Sequence, residues 1–198
     1  MWNYLKNLFK SDGIEALSVM TSPGPIALKA IAEAENKNVL AVREVGGNNR
    51  GKEVETYLAS VDLRAGDPWC DAFVYYRLMK AAQILGKTLP SSYPKTGYTP
   101  STASYFKKRG QWISVQAAKA NPSLVKRGDL VFFYFPTKGR IAHIGMVSSF
   151  DKNGIRTVEG NTEGHGASGV SRDGGGVWVK ERTWSNLGYL GGFGRITF

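Results

Sequence analysis

An α+β fold is predicted by three observations on this chain of 198 residues. Helix-like periodicity runs through the first half, and strand-like apolar runs dominate the second. The 24 glycines and 12% aromatic content imply many turns and a substantial β component. Helices followed by consecutive strands describe helices packed on an antiparallel sheet rather than alternating βαβ units. The length suits one domain over residues 26–198 with an appended segment at 1–25, and a core large enough to fold without disulfide staples.

The elements follow in order. Trp2, Leu5, Leu8 and Phe9 fall on one face of a short N-terminal helix, and Ser22-Pro23-Gly24-Pro25 breaks the chain after it. Ile26 to Leu40 reads as one helix, with Ile26, Ala30, Ile31 and Ala34 along its apolar face. Gly46 to Gly51 is a polar glycine-rich loop, and without a Gly-Lys-Ser/Thr ending it is not a phosphate loop. Val54 to Val61 returns to helix. The turn formers Gly66-Asp67-Pro68 then open a further helix, whose face Ala72, Phe73, Tyr76, Met79, Ala82 and Ile84 supply and which Gly86 closes. Leu89 to Pro100 is loop, and Ser101 is the expected cap of a helix through Lys108. Leu130 to Phe135 and Ile141 to Phe150 are strands. Asp151-Lys152-Asn153-Gly154 is a hairpin turn into Ile155 to Glu159. A glycine-rich loop from Gly160 to Gly176 precedes strands at Val177 to Trp184 and Tyr189 to Phe198.

Composition narrows function by exclusion. One cysteine rules out an internal disulfide framework and any zinc site of several cysteines. With His143 and His165 the only histidines, a His-rich metal cage is not expected, and no cofactor is expected. The longest apolar run, Leu130 to Phe135, is too short to span a bilayer, and the N-terminus carries no standard signal peptide. The net charge of +10 favours polyanions. The basic residues are scattered and no nucleic-acid motif accompanies them, so nucleic acid is not the expected partner.

The chemistry centres on Cys70 at the opening of its helix. Unpaired N–H groups and the positive end of the helix dipole stabilise a thiolate there. The competing reading is a small, buried, inert thiol. A cysteine nucleophile needs a base, and the base an orienting group. His143 lies in a strand, where alternation places it with Ile141 and Gly145. His165, in the glycine-rich loop, is the rival base. If the turn at Asn153-Gly154 pairs the two strands, the segment Glu159 to Asn161 lies beside His143 with a carboxylate or amide to fix its tautomer.

PWCDAF opening a helix, RGDLVFF, AHIGMV and VEGN occur in this order, and together they resemble the CHAP family of cysteine, histidine-dependent amidohydrolases/peptidases. Glu44 to Gly51 also resembles a segment found upstream of the cysteine in one CHAP-like subgroup. The resemblance covers residues 26–198 and implies a papain-like domain that cuts amide bonds in bacterial peptidoglycan. It implies Cys70 as nucleophile, His143 as general base, Glu159 as the acid that orients it, and Asn161 as the asparagine that completes the site, the last two on one strand face. Asp71 departs from the small apolar residue common in relatives, and its charge is expected to oppose the thiolate slightly. Asn49, Trp69, Tyr98 and Trp178 are candidate substrate contacts, with Trp112 and Trp184 as further aromatic walls.

The implied activity is an N-acetylmuramoyl-L-alanine amidase or a peptide endopeptidase. It suits a phage endolysin or a delivered antibacterial toxin, made in the cytoplasm and acting on the wall after release, with a delivery or immunity partner. A cysteine amidase acting on a small amide, and a basic wall- or protein-binding module with an inert cysteine, are the alternatives.

Overall fold

The computed structural model describes residues 22–164 and 173–198. The predicted N-terminal helix face and His165 lie outside them. Six helices occur among these residues: α1 (Pro25–Ala34), α2 (Lys37–Leu40), α3 (Lys52–Ala59), α4 (Cys70–Ile84), α5 (Thr99–Lys108) and α6 (Val115–Ala120). The strands are β1 (Trp112–Ser114), β2 (Leu130–Phe135), β3 (Arg140–Phe150), β4 (Gly154–Thr162), β5 (Gly176–Thr183) and β6 (Gly192–Gly194). They form one antiparallel sheet in the order β1-β6-β2-β3-β4-β5. The protein is therefore α+β.

One sheet face carries Phe132, Ile144, Met146 and Val158 against α1, α4 and α5, and forms the larger core. The other carries Val131, Phe133, Val147 and Ile155 against α6 and the turn Trp184–Leu187. Helix α4 runs through the middle of the larger core. Its buried face is Cys70, Phe73, Val74, Arg77, Leu78 and Ala81. This is rotated from the periodicity read in the sequence, because Ile84 is 56% exposed and Tyr76 and Met79 are half-buried. Burying Phe73 and Leu78 contributes about 1.5–3 kcal/mol each, so the position of the helix start is set by packing along its whole length.

Several boundaries differ from expectation for local reasons. The helix expected over Ile26 to Leu40 is two helices, broken where Asn36 accepts from the Asn38 N–H (3.0 Å) and caps the second. Helix α5 starts before Ser101, at Thr99, with Pro100 in its first turn where a missing N–H costs nothing. The last expected strand shrinks to Gly192–Gly194, since the Gly191 N–H turns back to Gly188 O (3.0 Å) and leaves Tyr189 63% exposed. β1 and α6 lie in a stretch where no element was expected.

The hairpin between β3 and β4 is closed as predicted. Asp151 Oδ1 accepts from the N–H groups of Asn153 and Gly154. Asp129 of the RGDLVFF segment is buried. It accepts from the Lys126 N–H (2.8 Å) and takes a two-point bond from Arg195 (2.9 and 2.7 Å), tying the turn before β2 to the C-terminal segment.

Candidate active site

Cys70 is the first residue of α4, with Trp69 as N-cap. Two features seat this helix start on β4. Gly160 offers a bare backbone where a Cβ would come within 2.7 Å of the Trp69 ring and 2.8 Å of the Phe73 ring. Asn161, at φ 57°, accepts from the Trp69 N–H with Oδ1 (3.1 Å). One of the four N–H groups that a helix start leaves unsatisfied is thereby held by a side chain 92 residues away.

A ring of hydrogen bonds supports that contact. Asn161 Nδ2 donates to Asn49 Oδ1 (2.8 Å), the Asn49 N–H donates to Glu44 Oε2 (3.0 Å), and the Trp69 indole donates to Glu44 Oε1 (3.0 Å). Asn49 Nδ2 also reaches Gly66 O (3.2 Å), in the turn before Cys70. This ring gives the Gly46–Gly51 loop its purpose. Gly46, Gly47, Asn48, Asn49 and Gly51 all take positive φ, which glycine adopts freely and asparagine more readily than other side chains. The loop is a bracket for the nucleophile candidate's helix. Glu44 was not singled out from the sequence as a site residue; its signal was the loop itself, whose left-handed residues need an anchor.

His143 and Glu159 are brought together on the sheet. Both are fully buried, and His143 Nε2 lies 2.9 Å from Glu159 Oε2. Three further donors converge on the same carboxylate: Arg182 Nε (2.9 Å) and Nη2 (2.6 Å), and Thr157 Oγ1 (2.6 Å). Burial alone would raise the Glu159 carboxyl, but the hydrogen bonds from Arg182 and His143 outweigh it and hold it at about 2. An ionised carboxylate only accepts, so Nε2 carries the imidazole proton and Nδ1 is the basic lone pair. Nδ1 is buried and has no hydrogen-bond partner. Gly145 makes room for this pair, as a Cβ there would lie 2.6 Å from Glu159 Cγ.

Arg182 and Thr157 also went unnoticed in the sequence. The signal was in β5, where Lys180 and Arg182 occupy alternate inward positions of a buried strand and so require partners. The strand geometry differs from simple alternation at two points. A bulge opposite Phe133 and Tyr134 sends Ile141 into the larger core, while His143 packs on Phe133 of the other face (5.4 Å). A second irregularity follows Glu159, and Asn161 is left-handed. Glu159 therefore binds His143 while Asn161 binds the helix start, so the two side chains serve different partners.

Cys70 and Ala142, the residue before His143, line one cleft of about 270 Å³ together with Tyr98, Arg140 and Asp67. Ala142 borders this cleft, whereas His143 is not among its lining residues and packs with Phe133 on the other sheet face. A larger cavity, about 330 Å³, lies at the β3–β4 turn between Arg156 and Glu181, and no thiol or imidazole lines it. Cys70 itself is 3% exposed.

Asp71, whose charge was expected to oppose the thiolate, lies inside the protein. It accepts from Thr102 Oγ1 (2.7 Å), and burial lifts its carboxyl to about 7 despite that bond. Near neutral pH it is half protonated, and its opposition to a thiolate is correspondingly reduced. The Tyr93 hydroxyl is buried without a hydrogen-bond partner. Burial, and then the charge of Asp71, push that phenol well above its usual range.

The aromatic candidates divide by exposure. Tyr98 is 52% exposed and lines the cleft. Trp69 is fully buried with its indole N–H engaged, so it offers no surface to a substrate. Trp178 has the Arg43 guanidinium 3.4 Å over its ring. Trp112 packs on Phe132 under Lys107, and Trp184 packs on Phe193 in the smaller core. Asn49 is committed to the bracket and not turned to the cleft. Among the described residues no helix is long and apolar enough to cross a membrane, and no group of three His, Cys, Asp or Glu side chains is arranged to hold a metal. No protein-family model matches the chain, and no curated protein or solved structure matches it either.

Proposed function

We propose that the chain is a cysteine-dependent amide hydrolase of CHAP type, with a papain-like domain that cuts an amide bond in bacterial peptidoglycan. The observation that carries this is the His143–Glu159 pair. An ionised, four-times-bonded carboxylate holds Nε2–H, leaving a buried basic Nδ1 on the strand segment that borders the Cys70 cleft. A structural histidine has no need of an unsatisfied ring nitrogen, since leaving one buried costs about 1–3 kcal/mol. The positive balance of +10 suits the anionic polymers of a cell wall.

In this mechanism His143 Nδ1 takes the Cys70 thiol proton and the sulfur attacks the amide carbonyl. The tetrahedral intermediate expels the amine, which receives the proton back from His143. Water, deprotonated by the same imidazole, then cleaves the thioester to release the acid and restore the thiol. Backbone N–H groups at the α4 start stabilise the oxyanion, but not that of Trp69, which Asn161 occupies. Glu159 stabilises the imidazolium formed twice per cycle. Such acid–base assistance is worth about 10²–10⁴ in rate.

Digestion of purified peptidoglycan by wild type and Cys70→Ala, with fragments read by mass spectrometry, tests this. New termini from wild type alone are expected, and their masses separate amidase from endopeptidase. No fragments from several wall types would overturn it. The small cleft favours a second reading, an amidase for a small-molecule amide, and turnover of soluble γ-glutamyl or acyl amides without wall digestion would select it.

A further inference from the structure

Among the described residues lining the Cys70 cleft, Arg140 is the cation and Asp67 the acid. The Arg140 guanidinium lies 5.3 Å from the Tyr98 ring, and Nη1 donates to Ile141 O (3.1 Å). These contacts orient the side chain while using one of its five donors. The arginine–carboxylate pairs among the described residues are Arg127–Glu35, Arg156–Glu181, Arg182–Glu159 and Arg195–Asp129. Arg140 belongs to none of them. Asp67 does not fill its place: it makes no ion pair with Arg140, and its Oδ2 accepts from the Arg64 N–H (3.0 Å). An oriented guanidinium fork without a carboxylate, at the rim of a cleft holding a nucleophile candidate, matches a planar anion.

We propose that Arg140 is a specificity-determining residue that binds a carboxylate of the substrate. The amide attacked by Cys70 then belongs to a molecule with a free carboxylate close to the scissile bond. The volume of the cleft, about 270 Å³, sets that distance, since it accommodates about one or two residues of substrate chain. This deepens the proposed function and rests on Cys70 being the nucleophile.

Two alkylating reagents test it on the intact chain. Iodoacetate and iodoacetamide transfer the same carbon to Cys70 Sγ with loss of iodide, and differ in carrying a carboxylate or a neutral amide. The ratio of their rate constants, at neutral pH and low salt, reports the local preference for a carboxylate independently of thiolate content. Relative to wild type, Arg140→Gln is expected to lower the ratio about five- to tenfold and Arg140→Lys about two- to threefold, because lysine keeps the charge but not the fork. Iodoacetamide rates carry any change in thiolate content, which the ratio cancels, and matching circular dichroism spectra of the three proteins verify their folding. An unchanged ratio in Arg140→Gln overturns the carboxylate site. A ratio that follows Arg140 while both reagents react no faster than with an unfolded thiol supports the anion site and overturns the nucleophile.

Discussion

Replacing Glu159 by glutamine removes one charge from the most heavily bonded carboxylate on the sheet. In wild type four donors meet two oxygens, and the side chains of Glu159 and Arg182 are 0% and 2% exposed. Glutamine substitutes an NH₂ for one oxygen, so a donor faces the Arg182 guanidinium in either orientation, and Arg182 loses the carboxylate charge that binds it at two points. Removing one partner of a buried pair costs about 3–5 kcal/mol. The titration gives a similar figure. A carboxyl held at about 2 against an ordinary 4.5 corresponds to about 3 kcal/mol of stability. Because the folded value is depressed, that stability is present above pH 4.5 and lost as pH falls towards 2. Glu159→Gln should therefore lower the melting temperature at neutral pH by about 6–20 °C and flatten the acid limb of the stability curve. In a urea-denaturation cycle, Glu159→Gln with Arg182→Met should be less damaging than the two single changes added, by about 2–3 kcal/mol. A loss under about 1 kcal/mol in the single variant, or strict additivity, would refute the buried-pair reasoning.

Three other outcomes follow from the same geometry. Asp71 is lifted from 3.8 to about 7, so folding stability is lost as pH rises through that window, by about 4 kcal/mol in all. Asp71→Asn keeps an acceptor for Thr102 and should remove this dependence; parallel denaturation curves for both proteins from pH 4 to 8 would contradict it. Asn161→Ala deprives the Trp69 N–H of its acceptor and puts alanine, which tolerates the left-handed region less well than asparagine, at φ 57°, costing about 2–4 kcal/mol. Asn161→Gly should recover about 1 kcal/mol of that in thermal melts, and equal losses would show that backbone conformation contributes nothing. Gly160→Ala drives a methyl into Trp69 and Phe73 and should destabilise by about 1–3 kcal/mol; a neutral effect in the same melts would mean that the helix start is not fixed on β4.

The parts of the fold visible in the sequence were those written in local chemistry. Gly66-Asp67-Pro68 announced the Cys70 helix, and Asp151 to Gly154 announced the hairpin that sets the register between His143 and Glu159. β1 and α6 were invisible because three- and six-residue elements hold too few positions for a period to emerge. The terminal strand was over-extended because Tyr189 and Leu190 read as apolar alternation, although both sit exposed on a glycine turn. The bulge before His143 and the left-handed Asn161 depend on neighbouring strands and leave no periodic trace. Glu44, Arg182 and Thr157 support the site from segments far apart in sequence, and their roles exist only once the sheet and loop are closed.

The most direct test of the proposed relay is the rate of Cys70 alkylation by iodoacetamide at pH 6.5, compared between wild type and a folded His143→Gln variant. An unassisted thiol titrates near 8.5 and is about 1% thiolate at that pH. Activation by His143 predicts that wild type reacts at least about tenfold faster than the variant. Equal, slow rates in the two proteins would show that His143 does not activate Cys70, and the catalytic proposal would fall with it.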